Sequence, residues 1–411
     1  MHHARRRRLQ RVVNPQTSIF AIVTIVVFVF LLTLSTTPVL VVAAAVSAAV
    51  VGAAAVGVMS ISSGTTLGGR MLVAHVLAGT IALLLGYGIV TGAQVWASWN
   101  DIDRKTFALH DARSALVDID DTTTSTSSPS AEPVGQVTTT VGLPDEAFVT
   151  MLLIGGDADS GAGDVILYLV LPTNGADPFM MSFPRDLYVT NPCTRSKGRI
   201  NTLVRGCPSK GINGGTLLAV QVSDMTGIDV DHFAEFTFEG FVDIIDAVGG
   251  IEICVDHAVR DPKASLDLPA GCTDANGAQA LSWVRSRKTE EYRDGVWRSV
   301  PGRGDLMRNT HQQDVILQLA QRIKSFQTPK QLTDTVAALS DAFVLSDTLS
   351  LTDAIGLAWS VRDIDIASIN RLEIPVRLSR SPTNQSILIA TTEPSEIIAA
   401  QYGNQLPTED P

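Results

Sequence analysis

FVTMLLIGGDADSGAGDVILYLVLP, residues 148–172, holds two apolar runs of strand length separated by a loop of small residues, with Asp157 at one mouth and Asp164 at the other. Each run is stopped by glycine, aspartate or proline, which marks strands rather than helices. PFMMSFPRD, residues 178–186, is a third run of the same kind. Beyond it the pattern changes period. NGGTLLAVQVSDMTGI has helical spacing, FAEFTFEGFVDIIDAVGGIEICV runs strand, helix, glycine turn, strand, and NGAQALSWVRSR and RNTHQQDVILQLAQRIKSF are helical again. Two more helical stretches, one late strand (NRLEIPVRL) and a last helix (EPSEIIAAQY) follow. Strands and helices alternating in this way predict an α/β domain with a mixed central β-sheet covered by helices, over residues 147–400, with a disordered tail at 401–411.

The chain has 411 residues, a formal net charge of -11 and 45% hydrophobic residues, but its apolar content is concentrated at the start. From Val12 to Ala97 the only formally charged side chain is Arg70. The apolar runs near 18–35, 38–60 and 71–97 each approach the ~20 residues that cross a bilayer. They predict three transmembrane helices over 18–97, preceded by a basic cytoplasmic N-terminus, 1–17, whose arginines 5–8 and 11 stay inside by the positive-inside rule. Everything after residue 98 is then extracellular. Residues 98–146, which include the Ser/Thr/Pro tract TTTSTSSPSAEPVGQVTTT, read as an extracellular stalk, with a short amphipathic helix at about 106–118. The basic run is explained by topology or anionic lipid, and nothing points to nucleic acid.

All four cysteines, Cys193, Cys207, Cys254 and Cys272, fall in the expected exterior domain. Pairing Cys193 with Cys207 and Cys254 with Cys272 closes two short loops, each stabilised by about 3 kcal/mol in the chain-entropy model. Neither spacing is CxxC-like and no histidine pair lies nearby, which disfavours zinc.

GxSxG, HExxH, Walker and GxGxxG signatures are absent from the sequence. What remains is a set of arginines and aspartates at the ends of apolar elements. Arg185 interrupts MSFPRDLYV; Arg285 and Arg287 stand two apart in VRSR; Asp305 and Arg308 are spaced i, i+3 in GDLMR. Singly, each arginine is an ordinary solvated residue. As a set they predict an anion site, because guanidinium binds phosphate through two parallel donors and keeps its charge. Asp157 and Asp164, if brought together, would repel unless a cation lay between them or one were protonated. Mg2+, held by carboxylates together with substrate phosphates, suits such a pair; capping of the strand ends is the plain alternative.

On LLIGGD with GDVILYLV, FPRDLYV, RIN before GINGGTLLAV, IDAVGGIEICV, GAQALSWVRSR and YRDGVWRSVPGRGDLMRNTHQQ, the chain resembles the LytR-CpsA-Psr proteins, membrane-anchored enzymes of cell-wall assembly, in their actinobacterial form. The resemblance covers roughly residues 147–400. It implies transfer of an anionic glycopolymer, such as teichoic acid, from an undecaprenyl-pyrophosphate carrier to peptidoglycan, at a muramic acid hydroxyl. It implies Mg2+ (or Mn2+) on Asp157 and Asp164, and a phosphate clamp of Arg185, Arg285, Arg287 and Arg308 with Gln312. Asp305 would be a base or an orienter of the arginines. Phe233, Phe236, Phe238 and Phe241, which read as core on their own, would border a tunnel for the lipid. Two departures from the family pattern are Ala162 and His311, where arginines are usual. They keep a second reading open, a catalytically weak polyprenyl-phosphate lipid-binding sensor of the envelope.

Overall fold

The computed structural model describes residues 86–117, 148–157, 163–172, 177–300, 304–326, 328–360, 364–365 and 368–402. The expected spans at 18–35 and 38–60, most of the one at 71–97, the Ser/Thr/Pro tract and Ala162 lie outside them. Among the described residues no helix is long and apolar enough to cross a membrane. The chain divides between Asp101 and Ile102 into two units; residues 86–101 of the first are helical.

The second unit is built on a seven-stranded mixed sheet, in the order β1 (Asp103–Lys105), β14 (Phe343–Ser346), β7 (His232–Thr237), β2 (Phe148–Gly156), β3 (Gly163–Pro172), β4 (Phe179–Ser182) and β15 (Asn370–Glu373). The antiparallel pair of β2 and β3 expected from the opening stretch is its centre, with β7 parallel to β2 on one side and β4 antiparallel to β3 on the other. The expected stalk boundary is corrected here. β1 pairs with β14 as the sheet's edge, and helix α1 (Leu109–Val117) buries Leu109, Ala112 and Leu116, so residues 103–117 belong to the folded unit. Arg113 of α1 reaches Asp229 at 2.8 Å. The far boundary moves too: the last helix, α8 (Pro394–Tyr402), buries Tyr402 against Phe179 with ring centroids 4.9 Å apart.

Both faces of the sheet are covered. Helix α2 (Gly214–Thr226) starts where Asn213 accepts the Thr216 amide and stops at left-handed Gly227. It is buried along nearly its whole length and packs with Leu152, Ile154, Ile166, Tyr168 and Phe233. Fully buried Tyr168 donates to the Ile228 and Asp229 carbonyls, which fixes the turn from α2 into β7.

On the opposite face lie α3 (Phe238–Ala247), α4 (Gly277–Arg285) and α5 (Gly304–Lys324). Ser182 pairs with Leu167 across the sheet and accepts a 2.9 Å bond from Gln313 of α5, which assigns that helix its face. Helix α4 begins against α3, where a Cβ on Gly277 would come within 2.3 Å of the Val242 carbonyl oxygen. The glycine turn expected after α3 is present, with Gly249 and Gly250 at φ 83° and 86°. Its carbonyls at Val248 and Gly249 accept bonds from Arg322 of α5.

Apart from the strand expected after the glycine turn, the smaller sheets went unforeseen. β8 (Ile251–Val255) pairs with β11 (Gly271–Ala275), a small sheet joins β9 (Val259–Asp261), β10 (Leu266–Leu268), β12 (Glu290–Arg293) and β13 (Val296–Ser299), and the expected late strand is split into β15 and β16 (Val376–Arg380), with β17 (Ser386–Ala390) completing a hairpin.

Both expected disulfides are formed, Cys193–Cys207 across 14 residues and Cys254–Cys272 across 18. Loops of this length predict that a Cys193→Ser/Cys207→Ser double variant loses about 3 kcal/mol. Urea unfolding of the parent and the double variant, both without reductant, measures this; an unchanged midpoint would contradict it.

Candidate functional site

A cavity of about 480 Å³ opens on the face of α3, α4 and α5, lined among others by Asp164, Arg185, Phe238, Asp261, Lys263, Arg285, Arg287, Lys288, Arg308 and Gln312. All four predicted arginines and Gln312 therefore share one space, although they come from separate parts of the chain.

Each is delivered by a local device. In the pairing of β2 with β3, Gly155 is opposite Val165 and Gly156 opposite Gly163, so Asp164 is the extra residue of a β-bulge. Bulges redirect a side chain that regular pleating would send elsewhere. Arg185 occupies a turn that Pro184 closes by accepting the Leu187 amide at 2.8 Å. The Arg185 carbonyl accepts from Asn201, and the Asp186 carbonyl from Leu388, which pins the turn on both sides. The Arg185 guanidinium is ion-paired to Asp164. Asp186 takes Arg199 at 3.2 Å and lies 3.8 Å from Arg185.

Arg285 is the last residue of α4, which starts with a capping box of Asn276 and Gln279, and Arg287 follows just beyond its end. Residues two apart would diverge on a helix; leaving the helix at Ser286 lets both line the cavity. Arg285 lies over the Phe238 ring, 4.9 Å from its centroid. Of the four phenylalanines, Phe238 lines the cavity, Phe233 is wholly buried on the α2 face, and Phe236 stacks with Phe241 and Phe343. Arg308 and Gln312, both buried, are i, i+4 on α5 and face the same way. Asp305 lies in the first turn of α5; its side chain is outside the described residues.

The predicted aspartate pair is divided between two spaces. Asp164 lines the arginine cavity, whereas Asp157 lines a neighbouring pocket of about 240 Å³ with Glu235, Phe236 and Thr237. The two pockets meet at the ends of β2 and β3, where Gly163 borders one and Asp164 the other.

Lys263, Lys288 and Asp261 also line the cavity and were not predicted; Phe238, expected at the border of a lipid tunnel, lines it as well. Lys288 directly follows VRSR and extends its charge; Asp261 and Lys263 carry no signal in VRDPK. Six cationic side chains thus face two carboxylates in the cavity, an excess that selects an anionic ligand.

His311 adds nothing to that charge. It is buried, stacks on Trp283 with ring centroids 3.6 Å apart, and its Nδ1–H donates to the Trp283 carbonyl at 3.0 Å. Burial lowers its pKa from 6.5 to about 4, against the opposing influence of that carbonyl and Asp314. It therefore locks α4 to α5 as a neutral ring.

A family model described as LytR_cpsA_psr matches residues 111–401. The probable cell wall biosynthesis protein LcpB of Corynebacterium glutamicum is 38% identical over 148 residues, which is 36% of this chain and 34% of that protein. Cell wall biosynthesis protein LcpA of the same organism is 31% identical over 217 residues, 47% of this chain and 39% of that one. The polyisoprenyl-teichoic acid–peptidoglycan teichoic acid transferase TagU of Oceanobacillus iheyensis is 30% identical over 181 residues, 43% and 52% respectively. The chain thus matches between a third and about half the length of these relatives. Among solved structures, a LytR-Csp2A-Psr enzyme from Actinomyces oris is similar with a TM-score of 0.50 and 25% identity, over 64% of this chain and 92% of that one.

An unfolded chain protonates His311 below about pH 6.5, the folded one only near pH 4. Stability is accordingly held above about pH 6.5 and falls as the pH drops through that window, by up to about 3 kcal/mol. His311→Gln should flatten the difference between urea midpoints at pH 7 and pH 5; an equal pH dependence in both proteins would contradict the buried neutral ring.

Proposed function

The chain belongs to the LytR-CpsA-Psr family, and from that premise we propose that it is a glycopolymer–peptidoglycan phosphotransferase, with a polyprenyl-pyrophosphate-linked glycan as donor. The observation that carries this reading is the convergence of Arg185, Arg285, Arg287 and Arg308 on one cavity with a large excess of positive charge. A pyrophosphate diester is the ligand whose charge and bidentate oxygens match such a set.

In the reaction, an acceptor hydroxyl oxygen of peptidoglycan forms a bond to the phosphorus that bears the glycan. The bond from that phosphorus to the bridging oxygen breaks, and its electron pair leaves with polyprenyl phosphate. The hydroxyl proton passes to a carboxylate, the role we assign to Asp305, one turn before Arg308 on α5. The arginines orient the two phosphates and stabilise the charge that grows on the leaving group, an effect worth roughly 3 to 4 kcal/mol per well-placed donor. Arg185 reaches the phosphates from a pinned turn, so little reorganisation accompanies the transfer. Phe238 beneath Arg285 limits where that guanidinium can go and shields it from water on one side.

The ion we propose is magnesium, with Asp164 in the arginine cavity and Asp157 in the adjoining pocket as its carboxylate donors. Asp157 and Asp164 offer hard carboxylate oxygens from adjoining strand ends, and Mg2+ is usually held by one or two carboxylates plus substrate phosphates. Those two residues would hold the ion, which supplies neutralisation of the phosphate oxygens when bound. The localisation we propose is the cell membrane, with the domain extracellular; the apolar N-terminal runs, the paired cysteines and a lipid-linked donor support it.

Purified full-length protein incubated with geranyl pyrophosphate and Mg2+ should release phosphate, and Arg185→Ala should lower the rate by about a hundredfold or more. Tight binding without turnover in the parent would instead support the envelope sensor, and neither binding nor turnover would contradict both readings.

A further inference from the structure

Asp261 ends β9 and lines the arginine cavity, yet it is only 2% exposed, and its carboxylate is saturated by backbone and hydroxyl donors. Oδ2 accepts from Ser286 Oγ at 3.0 Å, the Arg287 amide at 3.1 Å and the Lys288 amide at 2.8 Å. Oδ1 accepts from the Lys263 amide at 3.0 Å. Burial alone would push its pKa up; the four donors outweigh that and hold it below the ordinary carboxylate value, so the group is ionised at neutral pH.

These bonds fall where the chain leaves regular structure, beside a Ser286 amide that donates to the Trp283 carbonyl at 3.3 Å and a Ser286 hydroxyl 2.7 Å from that of Thr289. Helix α4 ends at Arg285, and Ser286 already has extended geometry at φ -64° and ψ 129°, so residues 286–288 are outside any regular element. A carboxylate is acceptor-only, with room for about four donors, and no neutral side chain of this size can do the same. The three consecutive donors come from the segment that carries two cavity cations, and the fourth from the loop that carries another.

We propose that Asp261 is a positioning residue of the anion clamp. Its carboxylate fastens residues 286–288 to the Lys263 loop, and so sets Arg287 and Lys288 against Lys263 around a phosphate-bearing ligand. A long side chain whose own amide is anchored loses less freedom on binding than one at a frayed helix end, so the clamp is ready before the ligand arrives. Asp261 acts through Arg287 and touches no reacting atom. The inference rests on the anion-binding reading of the cavity.

The test is calorimetric binding of geranyl pyrophosphate to full-length protein in the parent, Asp261→Asn, Arg287→Ala and the double variant, with hydrogen exchange followed at the amides of residues 287 and 288. Asn at 261 turns one acceptor into a donor, so affinity should fall by about tenfold while those amides exchange faster. The double variant should bind more tightly than the sum of the two single losses predicts, because the share of the loss that runs through Arg287 is common to both. Parent-like affinity in Asp261→Asn, or a loss that adds in full to that of Arg287→Ala, would overturn the inference. If the parent does not bind at all, the functional reading fails, and unchanged exchange at 287 and 288 would then overturn the positioning role as well. Should Asp261→Asn not fold, Ser286→Ala removes one of the four donors and decides in its place: severalfold weaker binding supports the inference and unchanged binding overturns it.

Discussion

Guanidinium groups from distant parts of the chain share one cavity, and the fold must hold them there against their mutual repulsion. Two like charges ~7 Å apart repel by about 2 kcal/mol at an effective dielectric constant of ~20, and every added cation meets several others. Left to itself, a set of exposed arginines would spread into solvent. The elements around the cavity prevent this by fixing the base of each side chain and by placing carboxylates where they compensate without competing for the ligand. Asp164 in its bulge pairs with Arg185, and Asp261 takes up the segment that bears Arg287.

That constraint explains features that serve no packing purpose. The central strand pair would be smoother without a bulge at Asp164, but a regular register would turn that carboxylate to another face. The turn at Pro184 to Leu187 is held by backbone bonds from Asn201 and Leu388, residues far away in sequence. His311 packs as a neutral ring on Trp283 and ties α4 to α5 at the level of Arg308 and Gln312. The ring adds rigidity between the two helices that carry Arg285 and Arg308.

Much of this was legible in the sequence, for physical reasons. The paired strands at 148–172 showed as short apolar runs with glycine and aspartate stops, and helix α2 through its helical spacing and the glycine near its end. The arginines stood out because each interrupts or ends an apolar element, where a charge has no packing role. Asp261 was not legible, since its meaning depends on three donors about 25 residues away. The strand at 103–105 was hidden for a similar reason: DRK carries no apolar pattern, and only its partner Phe343–Ser346 makes it a strand. The separation of Asp157 from Asp164 into adjoining pockets follows from the bulge, which no spacing rule announces.

The central claim is that the four arginines form one binding site for a pyrophosphate. A crystal structure of the protein with geranyl pyrophosphate tests it most directly. Both phosphates should lie in the cavity, with oxygens ~3 Å from nitrogens of Arg185, Arg285, Arg287 and Arg308. Phosphates bound in the pocket of Asp157 and Glu235, or away from these arginines altogether, would contradict it.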